Sequence, residues 1–126
     1  MIRGRWGMHW SDLEVWKKAH SLVKEIYKNT ISFPREELYG LTSQIRRAVV
    51  SVPTNIVEGF SKNSTKEYIQ FLFIARGSLE EVRYLLLLSK ELEFVSKVIF
   101  DNIEGRCEEV SKMLNALINS LRDKIK

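Results

Sequence analysis

Few residues in this 126-residue chain have the types and spacing that catalysis or metal binding requires. The two histidines, His9 and His20, and the single cysteine, Cys107, are too few for a multi-histidine metal centre or a cysteine-based zinc site. His20 also lacks the glutamate three positions earlier that di-iron helical bundles use, because Lys17 stands there. The sequence contains neither a phosphate-binding glycine loop nor an H-E-x-x-H motif. We therefore expect no catalytic residue, no metal site, no cofactor and no enzymatic activity.

A narrow polar stripe in the predicted second helix could bind a partner. At about 100° per residue the stripe occupies an arc of about 80° flanked by apolar positions, and its members are Gln44, Arg47, Ser51, Asn55 and Glu58. One interpretation is a polar network at a subunit interface, in which Arg47 and Glu58 neutralise each other or reach another chain. The other is a solvated helix face, although such faces usually carry Lys and Glu. The sequence leaves both interpretations open.

Basic residues of the first two predicted helices form a second candidate surface. The net charge of +4 lies entirely in residues 1–63, which hold ten Lys or Arg and six Asp or Glu, whereas residues 64–126 hold ten of each. A clustered basic surface can contact RNA or other nucleic-acid backbone, and the candidate residues are Lys17, Lys18, Lys24, Lys28 and Arg46. Nearby glutamates make a solvated face the simpler interpretation for one chain, but symmetry in an oligomer would repeat the patch.

Four amphipathic segments must position these residues. The pattern predicts that they begin, in chain order, at Ser11-Asp12, at Glu36-Glu37, at Ser64 or Thr65, and near Ser96. In the second segment, a brief interruption at Tyr39-Gly40-Leu41 is the alternative to an unbroken start at Glu36-Glu37. Pro53 is expected to kink the second segment, because the apolar pattern resumes in register at Ile56. Short loops between long amphipathic helices make sequence neighbours antiparallel. The predicted fold is therefore all-α, an antiparallel up-down-up-down four-helix bundle over residues 11–126, preceded by an N-terminal tail of residues 1–10.

The sequence pattern also predicts a cellular location. No run of apolar residues approaches the ~18–20 that a membrane span needs, and the N-terminus lacks the apolar core of a secretion signal. We expect a bacterial-type cytoplasmic protein with one reduced thiol and no contact with a membrane.

Several short motifs occur together within residues 12–95. They are Leu13-Glu14-Val15-Trp16-Lys17-Lys18-Ala19, Phe33-Pro34, Glu37-Leu38-Tyr39-Gly40-Leu41, Gln44-Ile45-Arg46-Arg47-Ala48, Ser51-Val52-Pro53, Asn55-Ile56-Val57-Glu58-Gly59 and, over 71–81, FLFIARGSLEE. As a set they resemble the bacterial four-helix-bundle family of 23S rRNA intervening-sequence proteins. That family is similar to the accessory proteins of diversity-generating retroelements, which form pentamers and bind nucleic acid beside a reverse transcriptase. The resemblance thus implies a homopentamer without established enzymatic activity.

Two functions fit these observations. The leading hypothesis is a non-enzymatic, homo-oligomeric bundle that acts as an RNA- or nucleic-acid-associated accessory protein. The alternative is a scaffold that binds another protein and does not contact nucleic acid. Self-association is expected in either case, because the third segment carries apolar residues such as Ile69, Phe73 and Leu87 outside its main seam.

Overall fold

Four α-helices make up most of the computed structural model, which describes residues 5–125. The helices are α1 (Glu14–Thr30), α2 (Leu41–Phe60), α3 (Thr65–Glu91) and α4 (Lys97–Lys124). Each helix packs against the next one along the chain, and α4 closes the bundle against α1. The described part of the chain contains no β-strand. The predicted all-α four-helix bundle is confirmed.

The core is formed by the apolar stripes that the three–four spacing predicts. Each helix contributes side chains that are inaccessible to solvent, among them Leu22, Ile56, Leu72 and Leu114. Burial of such side chains is the main favourable term in folding. Among the contacts between neighbouring helices, that between α2 and α3 is the most extensive.

The predicted beginnings of α3 and α4 are confirmed. The Ser64 hydroxyl accepts a hydrogen bond from the Glu67 N–H at 3.1 Å, and the Ser96 hydroxyl accepts one from the Ile99 N–H at 3.2 Å. Each serine therefore satisfies one of the N–H groups that a helix leaves unpaired at its first turn.

The predicted beginning of α2 at Glu36-Glu37 is wrong, whereas the interruption considered at Tyr39-Gly40-Leu41 coincides with the turn after which α2 begins. Residues Arg35–Glu37 form a separate 3₁₀ turn, and α2 begins at Leu41. Glu37 acts instead as a cap, because its carboxylate accepts a hydrogen bond from the Leu41 N–H at 3.0 Å. Gly40 leaves room for this carboxylate, since a Cβ at that position would lie 2.8 Å from the Glu37 Oε1 atom. Further along, α2 continues through Pro53 without a break.

The predicted beginning of α1 at Ser11-Asp12 is also displaced. Trp10–Asp12 form a 3₁₀ turn, and α1 begins at Glu14. His9 caps this turn by accepting a hydrogen bond from the Ser11 N–H at 3.2 Å, while the Asp12 carboxylate accepts one from the His9 N–H at 2.9 Å. The polar residues that suggested a helix cap thus serve the turn before the helix.

Residues 5–10 of the predicted tail lie against the bundle. The Arg5 guanidinium donates hydrogen bonds to the backbone carbonyls of Phe60 at 2.9 Å, of Ser64 at 3.1 Å and of Lys62. Trp10 packs against the core. Residues 1–4 of the predicted tail, and residue 126 of the predicted domain, lie outside the described residues. Within the described helices, none is long and apolar enough to cross a membrane.

Candidate functional site

The centre of the polar stripe on α2 faces α3. The Ser51 hydroxyl lies 2.8 Å from the Ser78 hydroxyl of α3. The Asn55 side-chain amide donates to the Ser51 carbonyl at 2.8 Å and to its hydroxyl at 2.9 Å. These three side chains form a half-buried polar cluster at the α2–α3 seam. Sequence reasoning missed Ser78 as a partner, although its small size within Ala75-Arg76-Gly77-Ser78 indicated a close helix approach.

The ends of the stripe are exposed and do not join this cluster. The side chains of Gln44, Arg47 and Glu58 make no hydrogen bond or ion pair with the residues that the structure describes. Arg47 and Glu58 are eleven residues apart, which at 1.5 Å per residue separates them by about 16 Å along the helix. They therefore do not neutralise each other within one chain, and both charges are available to other groups.

The candidate basic residues divide into paired and unpaired groups. Lys17 forms an ion pair with Glu14 at 3.2 Å, and Lys18 forms one with Glu109 of α4 at 3.5 Å. Lys24 and Lys28 are exposed and have no acidic partner within residues 5–125.

Arg46 is held against α1 rather than directed into solvent. Its guanidinium carbon lies 4.7 Å from the centre of the Tyr27 ring, and its Nε atom donates to the Thr30 hydroxyl at 2.9 Å. This pair of contacts confirms that α1 and α2 are adjacent. It also fixes a half-buried positive charge against the last turn of α1, where Tyr27 directly precedes Lys28 in sequence.

A third site lies in the groove between α1 and α2, and sequence reasoning did not find it. The cavity has a volume of about 440 Å³ and is lined by Trp10, Trp16, His20, Val23, Val50, Pro53, Thr54, Val57 and Glu58. The rings of Trp10 and Trp16 are 4.9 Å apart and tilted by 58°, and the Trp16 ring stacks on His20 at 4.9 Å with the planes only 8° apart. We call this site the tryptophan groove. The spacing of Trp16 and His20, one helical turn apart, was the available signal.

The single thiol of the chain, Cys107, lies in surroundings that lower its reactivity. Cys107 is fully buried in α4, and burial, followed by the negative charge of Glu104, raises the pKa of its thiol to about 12. The thiol is therefore protonated at neutral pH, which is unfavourable for nucleophilic chemistry.

Tyr68 is the other strongly perturbed group. Its hydroxyl is buried and has no hydrogen-bond partner among the described residues. Burial raises the pKa of Tyr68 to about 12, although the Arg5 guanidinium, 4.9 Å from the ring centre, opposes this shift. Over residues 5–125 no three His, Cys, Asp or Glu side chains are placed to hold a metal ion.

Comparison with known proteins identifies a family. The family model described as "23S rRNA-intervening sequence protein" matches residues 11–116. A crystal structure of a protein with unknown function from the S23 ribosomal protein family of Bacteroides thetaiotaomicron is similar in fold, with a TM-score of 0.77 and 24% sequence identity. The similarity covers 83% of this chain and 95% of that chain. No curated protein matches the sequence.

Proposed function

Because the chain belongs to the 23S rRNA-intervening sequence protein family, we propose that it is a non-enzymatic, self-associating bundle whose α1 helix contacts nucleic-acid backbone. The observation that carries the proposal is the row of exposed lysines on α1, of which Lys24 and Lys28 have no acidic partner in the described structure. At about 100° per residue, Lys17, Lys24 and Lys28 fall within an arc of about 40° and span about 16 Å of the helix. We call this row the lysine row.

The geometry of the lysine row suits a phosphate backbone. Each strand of a duplex carries one phosphate per ~3.4 Å of helix axis, so a span of about 16 Å can face several of them. Lys18 and Arg46 contribute less, since Lys18 pairs with Glu109 and Arg46 is held by Tyr27 and Thr30. Contacts of this kind fix position but do not read base sequence. The proposed ligand is therefore RNA or DNA backbone with weak sequence preference.

Self-association is supported by the outward face of α3. Ile74 and Tyr84 are 52% and 61% exposed, and Leu87 is also exposed on this helix. Gly77 lies on the same side, one heptad before Tyr84, and a Cβ there would meet no other atom within 4 Å. An exposed glycine inside a helix costs roughly 1 kcal/mol relative to Ala without any packing need inside the chain. A neighbouring subunit that approaches closely at Gly77 would explain both the exposed apolar side chains and the exposed glycine.

Five is our preferred number of subunits. This preference comes from the resemblance of the sequence to pentameric accessory proteins of diversity-generating retroelements. A closed ring would bring five copies of the lysine row to symmetric positions, which compensates for the small number of unpaired cations on each chain.

Filter binding with structured and single-stranded RNA tests the nucleic-acid part of the proposal. Lys24→Glu/Lys28→Glu should weaken binding at low salt and reduce the slope of log K against log salt by about two units or less. The matched control is Lys66→Glu/Lys112→Glu, which makes the same charge change at exposed positions of α3 and α4. Absence of binding by the wild type, or equal loss in both double variants, would contradict a specific role for the lysine row.

Sedimentation equilibrium at micromolar concentration tests self-association. The wild type should be larger than the 14.8 kDa chain, and Tyr84→Lys should dissociate it, because a charge would be placed at the centre of the α3 face. Tyr39→Lys is the control, since Tyr39 is 93% exposed but lies in the connection between α1 and α2. A monomeric wild type would exclude the proposed assembly.

One observation favours the alternative function, a protein-binding scaffold. Lys17 and Lys18 are both paired with glutamates, which reduces the positive field that nucleic acid would encounter. If the assembled wild type fails to bind RNA at low salt, the scaffold function becomes the better proposal.

A further inference from the structure

The tryptophan groove combines aromatic faces with one unpaired negative charge. Trp10, Trp16 and His20 form one wall, and the opposite wall comes from α2, where Val50, Pro53 and Val57 supply apolar surface. Glu58 is exposed, and its carboxylate has no ion-pair or hydrogen-bond partner within the described chain. The cavity volume of about 440 Å³ falls in the ~300–1,000 Å³ range of small-ligand pockets.

The chemistry of this lining selects among ligand types. No Lys or Arg lines the groove, so a phosphate group would meet the negative charge of Glu58 with only the side chains of His20 and Thr54 to donate hydrogen bonds to it. A purely apolar ligand would give that carboxylate no ion-pair or hydrogen-bond partner. A cation is attracted both by the carboxylate and by the negative faces of the indole rings. The charge pattern therefore favours a cationic ligand with a flat or apolar body.

We propose that the tryptophan groove binds the arginine side chain of a partner polypeptide. The guanidinium group is planar, so it can lie on the face of Trp10 or Trp16, and it can donate two parallel hydrogen bonds to the Glu58 carboxylate. Its three methylene groups would contact Val57 and Pro53, as long cationic side chains commonly do on apolar surfaces. This site lies apart from the α3 face and does not depend on the proposed contact with nucleic acid.

The experiment compares two short peptides by NMR of the indole N–H groups. One peptide is acetyl-Gly-Arg-Gly-amide, and the other replaces arginine with citrulline, whose neutral urea group has nearly the same shape. The arginine peptide should shift the indole signals of Trp10 and Trp16 in a saturable manner, with a dissociation constant of about 1 mM, as expected for one exposed side chain. Trp6 is an internal control, because it lies outside the groove beside Lys124. Citrulline should bind about fivefold to tenfold more weakly.

Variants then test the role of the carboxylate. Glu58→Gln should lower the affinity for the arginine peptide towards that for the citrulline peptide, and the difference that remains measures the attraction of the indole faces for the cation. Glu36→Gln, an exposed glutamate outside the groove, should leave both affinities unchanged. Equal affinity of the wild type for the two peptides, or the absence of a saturable shift, would overturn the proposal. Adenosine monophosphate serves as a competing probe, and stronger shifts of Trp10 and Trp16 with this nucleotide would instead assign the groove to nucleic-acid bases.

Discussion

Two side chains that could in principle react are suppressed by their surroundings. The Cys107 thiol and the Tyr68 hydroxyl are both buried, and burial raises the pKa of each to about 12. A thiol or a phenol that stays protonated over the physiological range cannot act as a general base and is a weak nucleophile. The proposed functions accordingly rest on exposed charges and aromatic rings rather than on these two groups.

Removing the Tyr68 hydroxyl should not destabilise the protein. The hydroxyl has no partner in the described structure, and a buried polar group without a hydrogen bond carries a desolvation cost. We expect Tyr68→Phe to leave the free energy of unfolding unchanged or to raise it by up to about 1 kcal/mol at neutral pH. Urea denaturation measures this change, and a clear loss of stability would show that the hydroxyl has a partner.

The raised pKa of Tyr68 predicts a loss of stability at alkaline pH. The Tyr68 pKa is about 12 in the folded chain, compared with 10.0 in the absence of the fold. Because the unfolded chain releases this proton first, the contribution is complete below pH 10 and is lost as the pH rises towards 12. Comparison of wild type and Tyr68→Phe by denaturation between pH 8 and pH 12 isolates this effect. The wild type should lose more stability than the variant, and parallel curves would contradict the assignment.

Cys107 should be protected from thiol reagents in the folded state. Its thiolate is disfavoured by burial and by Glu104, and alkylation requires a thiolate that the reagent can reach. We expect iodoacetamide at pH 8 to modify the folded protein at least about a hundredfold more slowly than the urea-unfolded chain. Mass spectrometry at timed intervals measures both rates, and similar rates would indicate that α4 opens readily.

At the level of helices, three internal glycines should respond differently to alanine. A Cβ on Gly59 would lie 2.8 Å from the Phe71 Cβ atom and 3.1 Å from the Tyr68 carbonyl, whereas a Cβ on Gly77 or Gly105 would meet nothing within 4 Å. Gly59→Ala should therefore destabilise the protein by about 1–3 kcal/mol through overpacking at the α2–α3 contact. Gly105→Ala should stabilise it by about 0.5–1 kcal/mol. Thermal denaturation distinguishes these outcomes.

For Gly77→Ala we also expect an effect on self-association, because Gly77 lies on the outward face of α3. It should stabilise the separated chain as Gly105→Ala does, but weaken self-association. If both variants have the same effect on stability and on assembly at every protein concentration, Gly77 is not at an interface.

Helix periodicity predicted the bundle because burial of an apolar stripe is a property of sequence spacing. The beginnings of α3 and α4 were also predictable, since Ser64 and Ser96 act within their own first turns. The beginnings of α1 and α2 were not. Glu37 caps α2 from a preceding turn, and His9 caps a short turn before α1, so both ends depend on turn geometry that spacing does not encode.

The candidate sites were predictable only in part, for a related reason. The polar stripe and the basic residues follow from the helical wheel of single helices. Three features instead depend on contacts between different helices. They are the hydrogen bond between Ser51 and Ser78, the contact of Arg46 with Tyr27, and the tryptophan groove. Such contacts require the relative rotation of packed helices, which ridge-and-groove packing decides in three dimensions.

At the level of the whole molecule, the proposed self-association would make stability depend on protein concentration. An interface that forms only between folded chains stabilises each subunit by mass action. We therefore expect the Tm of the wild type to rise by several degrees between low-micromolar and hundred-micromolar protein. The Tm of Tyr84→Lys should stay constant over the same range. Differential scanning fluorimetry and calorimetry together cover these concentrations, and a constant Tm of the wild type would contradict assembly in this range.

The three hydrogen bonds of Arg5 connect the N-terminal segment to the loop that joins α2 and α3. Lys62, a cleavage site for trypsin, lies in this loop, and its carbonyl is one of the three acceptors. We therefore expect a residue 57 positions away in sequence to protect the loop from proteolysis. We expect trypsin to cut Arg5→Ala after Lys62 before any other internal site. One fragment would carry α1 and α2, and the other would carry α3 and α4. The affinity of the two fragments for each other would then measure how strongly the two halves of the bundle associate.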